Sequence, residues 1–379
     1  MLSRANRISL VRYMWFLVVL WCELGIFYYS TATCTWPEPA HRSGARSQRI
    51  LIVADPQVLN HDSYPGRNPW LMSLSQYIVD LNLRKSWRAA KATRPDAVVF
   101  LGDMMDNGRD DFRYNAYLHR FYNIFSPIST APIYYLPGNH DVGIGATADK
   151  KKMARLRYMS NFGPLNQHVS LANHSLVLID APILVEEDRV RKQQGQEGTQ
   201  WLPKELKEAK FIHSLNSGGN LPRKPLILFS HIPLSRPEGA SCGPLREKGW
   251  IRAGRGAGYE NTLSQATTNM LLETFRPSLV FSGDDHDYCE YTHRLRIEDD
   301  SPITPTEVRE VSVKSFSMAM GIARPGFHLL SLSPSGPPYS QQDDAPLSTF
   351  ADRPCFLPNQ LSIYIWIYLP LFLLTLCVI

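Results

Sequence analysis

Residues 49–330 are predicted to form an α/β layered fold, with a hydrophobic segment flanking it at each end of the chain. Short continuous aliphatic runs recur through this region, which is typical of strands that are buried on both faces. Helical patterns fall between the runs, and alternating strands and helices predict layers of helices packed on sheets. The six runs occupy residues 50–54, 97–101, 133–136, 176–179, 226–229 and 279–281.

Two helices are predicted between these strands from apolar residues three or four positions apart. The first runs to about residue 92, before Pro95, and the second ends before Pro277, because proline disfavours a helix that continues through it. The apolar face of the first comprises Leu74, Tyr77, Ile78 and Leu81, and that of the second comprises Met270, Leu271 and Phe275.

Motifs that contain Asp, Asn or His lie at the ends of five of the six strand runs. Any one of them has an ordinary explanation as a helix cap or a turn residue. Ligands of layered α/β folds bind where the carboxyl ends of strands meet, so five such motifs together indicate a site. The motifs are Asp55-Pro56-Gln57, Gly102-Asp103-Met104-Met105-Asp106-Asn107-Gly108, Gly138-Asn139-His140-Asp141, Ser230-His231 and Gly283-Asp284-Asp285-His286.

The composition narrows the class of protein. Hydrophobic residues make up 44% of the 379 residues and charged residues 20%, which excludes a disordered chain and a multi-span transporter. The net charge of +5 is small and spread along the chain, and no basic block is interleaved with aromatic residues. We therefore expect no nucleic-acid partner.

The N-terminal region predicts a cytosolic segment at 1–12, a transmembrane helix or signal anchor at 13–29 and a lumenal stalk at 30–48. Arg4, Arg7 and Arg12 precede the apolar run, which favours a cytosolic N-terminus. Glu23 is tolerable near one end of a span. A cleaved signal peptide is the alternative, because Ser30-Thr31-Ala32 fits a small-residue cleavage site. Both interpretations send the middle of the chain into the secretory pathway.

The C-terminal region predicts a Pro/Ser-rich linker at 331–358 and a second transmembrane helix at 359–379. Two alternatives are a lipid-anchor signal, given Ser348 and Thr349 upstream, and the start of a longer membrane region in a truncated gene. A second span is favoured.

Four of the six cysteines lie outside the hydrophobic ends, an even number that fits two disulfides in an oxidising lumen. Their connectivity cannot be deduced, and free buried thiols are an equal alternative. The four are Cys34, Cys242, Cys289 and Cys355. Asn173-His174-Ser175 is a glycosylation sequon whose use stays open.

The five motifs resemble those of the calcineurin-like metallophosphoesterases, D-x-H, G-D-x-x-D, G-N-H-[DE], H and G-H-x-H. The resemblance covers roughly residues 49–320. It implies a four-layer α/β/β/α sandwich with two divalent metal ions at the strand ends. Such a pair of ions clamps a phosphoryl group and activates water for attack on it.

The resemblance also implies roles for individual residues. Asp103 would bridge both metals, and His140 would protonate the leaving oxygen or stabilise charge on the phosphoryl group. Asp106 would orient His140. The first metal would also take Asp55, Gln57 and His286, and the second would take Asn139, His231 and Asp284.

Three departures from the family pattern affect the chemistry that we expect. Gln57 and Asp284 stand where the family usually has histidine, which makes the ligand set richer in oxygen and favours Mn²⁺ over zinc or iron. Asn107 replaces the arginine with which protein phosphatases of the family grip a terminal phosphate, which favours a phosphodiester substrate. Arg236, Arg246 or Arg252 would be the candidates to compensate.

Segments 54–57, 281–289 and 315–321 look like a membrane-bound branch of the family. Its members remove ethanolamine phosphate from a mannose of glycosylphosphatidylinositol (GPI) anchors, allowing GPI-anchored proteins to leave the endoplasmic reticulum. The resemblance implies a GPI-anchored protein or GPI glycolipid as substrate, and a lumenal domain on the endoplasmic reticulum or early Golgi membrane. Alternatives are a membrane-tethered phosphatase or pyrophosphatase on another lipid or nucleotide, and a non-catalytic metal-binding trafficking scaffold. Oligomeric state stays open.

Overall fold

A computed structural model describes most of the chain. The described residues are 3–40, 46–109, 112–128, 130–196, 201–208, 224–256, 258–295, 306–334 and 348–379. The middle of the predicted linker, 335–347, and residues 41–45 of the predicted stalk lie outside them.

The chain alternates strands and helices between two long terminal helices. The helices are α1 (Arg4–Ala32), α2 (Pro69–Lys91), α3 (Tyr114–Ile124), α4 (Asn139–Val142), α5 (Ala148–Phe162), α6 (Ala181–Gln193), α7 (Lys204–Glu208), α8 (Gln265–Phe275) and α9 (Gln360–Val378). The strands are β1 (Gln48–Val53), β2 (Ala97–Phe100), β3 (Ile133–Tyr135), β4 (Gln167–Leu171), β5 (His174–Ile179), β6 (Leu226–Ser230), β7 (Arg255–Gly256), β8 (Tyr259–Glu260), β9 (Leu279–Ser282), β10 (Cys289–Leu295), β11 (Thr306–Ser312), β12 (Gly326–Leu332) and β13 (Phe350–Phe356).

Two large sheets form the centre of the fold. The first has the order β13-β12-β1-β2-β3 and the second the order β10-β11-β9-β6-β5-β4. Strands β1, β2 and β3 are parallel, as are β5, β6, β9 and β11, so their carboxyl ends share one edge. Antiparallel strands close both sides of the second sheet and one side of the first.

Alternate residues of the same strand lie in different cores. Ile50 and Ile52 of β1 pack between the two sheets, against Phe229 and Phe281 of the second sheet. Leu51 and Val53 face the other way, under the helices that cover the first sheet. Helices α6 and α8 cover the second sheet in a third core. The architecture is the predicted four-layer α/β/β/α sandwich, and burial on both faces explains the continuous aliphatic runs.

The predicted linker contains a strand that the sequence analysis missed. Phe350–Phe356 pairs antiparallel with β12 along its whole length, and β12 itself runs past the predicted domain boundary to Leu332. This strand is the edge of its sheet, where Pro354 is tolerated because the outer side needs no hydrogen-bond donor. Asp352, Arg353 and Pro354 interrupt its apolar residues, which is compatible with a half-buried edge strand.

The predicted stalk also packs on the domain. Helix α1 continues through Ala32, beyond the predicted span, and the indole of Trp36 then donates a hydrogen bond to the carbonyl of Thr93 at 2.8 Å. A disulfide joins Cys34 to Cys355 of the edge strand, and a second joins Cys242 to Cys289. The two chain ends are thus held together beside the first sheet.

Helices α1 and α9 are long and apolar enough to cross a membrane, and few of their residues are buried. They pack against each other in opposite directions. Arg7 donates to the carbonyl of Val378 at 2.9 Å, and the Trp15 indole donates to Thr375 at 2.9 Å. Further along, Tyr368 donates to Glu23 at 2.6 Å. The pair is a candidate two-helix membrane anchor.

Candidate metal centre

The nine predicted site residues lie at one edge of the sandwich, where the parallel strands of both sheets end. Asp55 follows β1, Asp103 follows β2, His231 follows β6, and Asp284 follows β9. Five of the nine have a left-handed backbone, which is uncommon for residues other than glycine and clusters at functional sites. Their φ angles are 47° at Asp55, 34° at Gln57, 53° at Asp103, 60° at Asp284 and 68° at His286.

Three side chains form the middle of the centre. The carboxylates of Asp55 and Asp103 and the imidazole of His231 offer ligand atoms that all lie within 4.8 Å of one another. All three residues are fully buried. His231 Nδ1 donates a hydrogen bond to the carbonyl of Leu101 at 2.6 Å. This bond orients Nε2 toward Asp103, 3.4 Å away.

The remaining predicted ligands extend the centre on two sides. On one side, Gln57 Nε2 lies 2.9 Å from Asp103 and 3.3 Å from His286 Nε2. On the other side, His231 Nε2 lies 3.0 Å from Asn139 Oδ1 and 3.4 Å from Asp284 Oδ1. Gln57 and His286 thus lie together at Asp103, and Asn139 and Asp284 lie together at His231, while the assignment of the ligands to two ions stays a prediction.

His140 lies at the mouth of the centre and is partly exposed. Its Nε2 is 4.0 Å from Asp103 Oδ2, and its main-chain N–H donates to Asp103 Oδ1 at 2.9 Å. Its Nδ1 is hydrogen-bonded to the main-chain carbonyl of Asp106, while the Asp106 carboxylate is 3.6 Å away and accepts from Ser63. Asp106 therefore holds His140 chiefly through its main chain, and through its carboxylate only at longer range.

Asp141 is a buried functional residue to which the sequence analysis assigned no role. Its carboxylate accepts hydrogen bonds from the main-chain N–H groups of Asp103 at 2.8 Å, Met104 at 3.1 Å and Gly138 at 2.9 Å. It thereby locks together the two loops that carry Asp103 and His140. The sequence feature that could have identified Asp141 is its position at the end of the Gly138-Asn139-His140-Asp141 motif.

The position of Asp103 explains why the first residue of that motif, Gly138, is a glycine. A Cβ at Gly138 would lie 2.0 Å from Asp103 Oδ1, so any side chain would displace the central carboxylate. Gly102 is equally constrained, because its φ is 89° and a Cβ would lie 2.5 Å from His231 Nδ1.

Two of the three arginines predicted as possible phosphate ligands are paired with acids. Arg246 makes a two-pronged ion pair with Asp285 at 2.5 and 3.1 Å, and Arg236 Nη2 lies 2.8 Å from Glu310. Arg252 is exposed. Asp287 accepts from the main chain of residues 247 and 248. Asp285 and Asp287 therefore fix the loop around Arg246, and Arg236 and Arg246 are engaged rather than open to a phosphate.

Burial and charge act in opposite directions on the carboxylates of the centre. Burial raises the pKa of Asp55 well above its usual range, and the nearby His231 offsets only part of that rise. Burial acts on Asp103 in the same sense, but His231, His140 and hydrogen bonds lower its pKa overall. Burial and the charge of Asp103 raise the pKa of Asp141 to about 7. The centre holds more buried negative charge than its own side chains balance.

The donor set fits divalent cations. Asp55 Oδ2 is buried and has no hydrogen-bond partner among the described residues, which is costly unless an ion binds it. The seven predicted ligands supply three carboxylates, two amides and two imidazoles, a mixture suited to Mn²⁺ and similar ions. Asp55 and Asp103 would help to hold one ion, and Asp103 and His231 would help to hold the other.

Comparison with known proteins agrees with this geometry. The sequence profile of the calcineurin-like phosphoesterases matches residues 48–288. The chain belongs to the calcineurin-like phosphoesterase family. Cell division control protein 1 of Saccharomyces cerevisiae is 31% identical over 386 residues, covering 94% of this chain and 72% of that protein. Metallophosphoesterase 1 of Ailuropoda melanoleuca is 27% identical, covering 84% of this chain and 79% of that protein.

A dimetal phosphatase from Danio rerio superposes on this phosphoesterase with a TM-score of 0.46 and 12% identity, covering 83% of this chain and all of that one. Family membership and the buried acid–imidazole cluster together make the chain a metal-dependent phosphoester hydrolase. The predicted fold and enzyme class are confirmed, whereas the substrate is a separate question.

Proposed function

We propose that this phosphoesterase is a Mn²⁺-dependent phosphodiesterase that removes ethanolamine phosphate from the mannose glycan of GPI anchors. It would act on the lumenal face of the endoplasmic reticulum or early Golgi membrane and allow GPI-anchored proteins to leave the endoplasmic reticulum. The finer substrate assignment rests on the resemblance of segments 54–57, 281–289 and 315–321 to the membrane-bound branch.

One observation carries the proposal furthest: the hydrolytic domain packs directly against the candidate two-helix anchor. Lys85 on α2 contacts Glu23 of α1 and donates to Gln360 of α9 at 3.0 Å. The Cys34–Cys355 disulfide covalently links the segment that follows α1 to the strand that precedes α9. A domain held so close to a bilayer is suited to a lipid-linked substrate rather than a soluble one.

A diester substrate agrees with the charges around the centre. Asn107 stands where an arginine would grip a terminal phosphate, and Arg236 and Arg246 are paired with Glu310 and Asp285. A diester carries less charge on its non-bridging oxygens than a monoester does, so it needs fewer cationic partners.

The chain's own residues have distinct tasks in this reaction. When bound, two divalent cations supply Lewis-acid activation of the phosphoryl group and of the attacking water. Asp103, in contact with both ligand groups, would hold the pair, and Asp141 positions the Asp103 loop. His140 lies close enough to Asp103 to meet the leaving oxygen, and its bond to the Asp106 carbonyl fixes the ring. General acid catalysis of this kind contributes about 10²- to 10⁴-fold.

The lumenal location draws support from the cysteines. Both disulfides lie on the domain side of the two apolar helices, whereas free Cys22 and Cys377 lie within those helices. Disulfides persist in oxidising compartments. Asn173 of the sequon is exposed at the turn between β4 and β5.

The proposal is tested by secretory traffic in cells that lack this protein. Exit of a GPI-anchored reporter from the endoplasmic reticulum is compared with exit of the same ectodomain on a transmembrane helix. We expect the GPI form alone to be delayed, with rescue by the wild type and by His119→Ala, a variant at an exposed histidine, but not by His140→Ala. Equal delay of both reporters would favour a phosphoesterase acting on another lipid or nucleotide. Rescue by His140→Ala would favour a non-catalytic scaffold.

A further inference from the structure

Helix α2 has two apolar faces where one is expected. Met72, Val79, Leu83 and Trp87 are buried under the first sheet, as in any helix that covers a core. The opposite face would normally be polar. Instead it presents a stripe in which Trp70 is 66% exposed, Leu74 44%, Tyr77 62% and Leu81 37%.

The four residues of this α2 stripe follow helical spacing. Successive members are four, three and four positions apart, so they lie in one line along roughly 16 Å of helix. A contiguous apolar patch on a protein surface marks a contact with a membrane or another protein.

Lys85, four positions after Leu81, continues the same line. It contacts Glu23, donates to Gln360, and lies 4.8 Å from the ring of Phe27. The face of α2 that bears the stripe is therefore the face that meets both candidate membrane helices. The stripe is a continuation of the interface with the anchor.

The residue types suit the surface of a bilayer better than a protein interface. Trp70 and Tyr77 have an apolar ring with a polar edge, which places such side chains at the level of lipid headgroups. Arg84 and exposed Arg88 extend the stripe with positive charge at the anchor end. Aromatic and aliphatic residues followed by basic ones are typical of helices that lie in the interface plane.

We propose that α2 lies on the bilayer surface, with the stripe buried among the lipids of the leaflet that α1 and α9 enter on the side of the domain. The occupant of the stripe is thus the lipid surface itself. This inference rests on the proposed membrane anchoring of the two terminal helices.

The opposite side of α2 connects the lipid surface to the metal centre. Gln76 donates to the carbonyl of Leu59 at 3.2 Å, and Arg120, paired with Asp80, donates to the same carbonyl at 2.7 Å. Leu59 lies two residues beyond Gln57. The helix that we propose to lie on the membrane therefore braces the loop that supplies a ligand.

Depth-dependent fluorescence quenching tests the position of α2. The full-length protein, with Cys22 and Cys377 replaced by alanine, carries bimane on Tyr77→Cys and is reconstituted into phosphatidylcholine vesicles containing 5-doxyl lipid. The control is bimane on Asn269→Cys, an exposed position on α8 over the opposite sheet. We expect quenching at position 77 to be at least about threefold stronger than at 269.

Equal quenching at the two positions would overturn the inference. So would a label at 77 that is shielded from both the doxyl lipid and aqueous iodide, since that would identify a protein, such as a second copy of this chain, on the stripe.

A kinetic comparison separates this inference from the proposed function. The double variant Leu74→Glu/Tyr77→Glu is matched with Met153→Glu/Leu156→Glu on α5, whose side chains are 50% and 45% exposed. We expect only the first to raise KM for a GPI glycolipid in vesicles, by about tenfold, with kcat on bis(p-nitrophenyl) phosphate unchanged.

An unchanged KM in the Leu74/Tyr77 variant would count against the membrane role of α2. If the wild type hydrolyses the soluble diester but not the glycolipid, the GPI proposal fails, and the quenching experiment still decides where α2 lies.

Discussion

Two buried clusters of charged side chains in this protein differ in how their charges are balanced. In the metal centre, Asp55, Asp103 and His231 crowd together, and one oxygen of Asp55 lacks a partner among the described residues. The second cluster, the Glu310 cluster, lies within the second sheet. There Glu310 faces Arg236 at 2.8 Å and His293 at 2.7 Å.

The Glu310 cluster is closed on itself. The other oxygen of Glu310 accepts from Ser282 at 2.7 Å and from the main chain of Leu234 at 3.1 Å. Every strong interaction of this carboxylate is thus made by the protein. Buried charge that is matched in this way stabilises a fold, whereas buried charge left in excess requires a ligand. The difference separates the catalytic centre from a structural network of equal burial.

The largest effect that we expect follows from removing His140. His140→Ala should lower kcat on a soluble phosphodiester by about 10²- to 10⁴-fold, because the leaving oxygen loses its acid. Metal content, measured by mass spectrometry on the purified protein, should stay at the wild-type value. His119→Ala, at an exposed histidine of α3, is the matched control. Loss of metal together with activity would contradict the role assigned to His140.

Breaking the Glu310 cluster should act on stability instead. Glu310→Ala leaves Arg236 buried without its partner, which we expect to cost about 3–5 kcal/mol of unfolding free energy. Denaturant titration of the wild type and the variant measures this loss. Any folded fraction should keep the wild-type metal content, and a loss of bound metal at wild-type stability would remove the distinction between the two clusters.

A bound cation should stabilise the protein through the metal centre and should not change the contribution of the Glu310 cluster to stability. Added Mn²⁺ at about 100 times its Kd should stabilise metal-stripped protein by about 2.7 kcal/mol, seen as a rise in Tm. Asp55→Asn removes a proposed ligand and should shrink this rise, whereas Glu310→Ala should lower Tm with and without metal by similar amounts. If the Tm of the folded wild type did not change on addition of Mn²⁺, the proposed ligand set would be wrong.

The sequence predicts the metal centre better than the Glu310 cluster for a physical reason. Each candidate ligand directly follows or adjoins the carboxyl end of a buried strand, so local patterns such as Gly102-Asp103 reveal it. Arg236 follows β6 and Glu310 lies on β11, so these residues, far apart in sequence, meet only because both strands pair with β9. No local pattern records such a contact, and disulfide connectivity was open for the same reason.

Helix α2 shows the same limit at the level of packing. The spacing of Leu74, Tyr77 and Leu81 predicts a helix, and the helix is present. Spacing alone does not tell which apolar face meets the sheet: of the four residues on the predicted face, Ile78 packs against the core and the other three are exposed. Edge strand β13 was missed because Asp352, Arg353 and Pro354 interrupt its apolar residues, so it lacks the continuous aliphatic run that marks the central strands.

The smallest expected effect is the part of the stability loss at acid pH that Glu310 contributes. Burial by itself would raise the pKa of Glu310, but Arg236 and the hydrogen bond from His293 lower it to about 2. A carboxylate whose pKa is lowered by folding contributes stability that is complete above its unfolded value, about 4.5, and is lost as pH falls toward 2. The contribution of Glu310 to the unfolding free energy should therefore be constant from pH 7 to pH 5 and should decline below pH 5. In Glu310→Gln the decline should be shallower than in the wild type, measured by urea titration at each pH with chelator present. If the unfolding free energy fell equally with pH in the two proteins, the pKa of Glu310 would not be lowered by its contacts in the cluster.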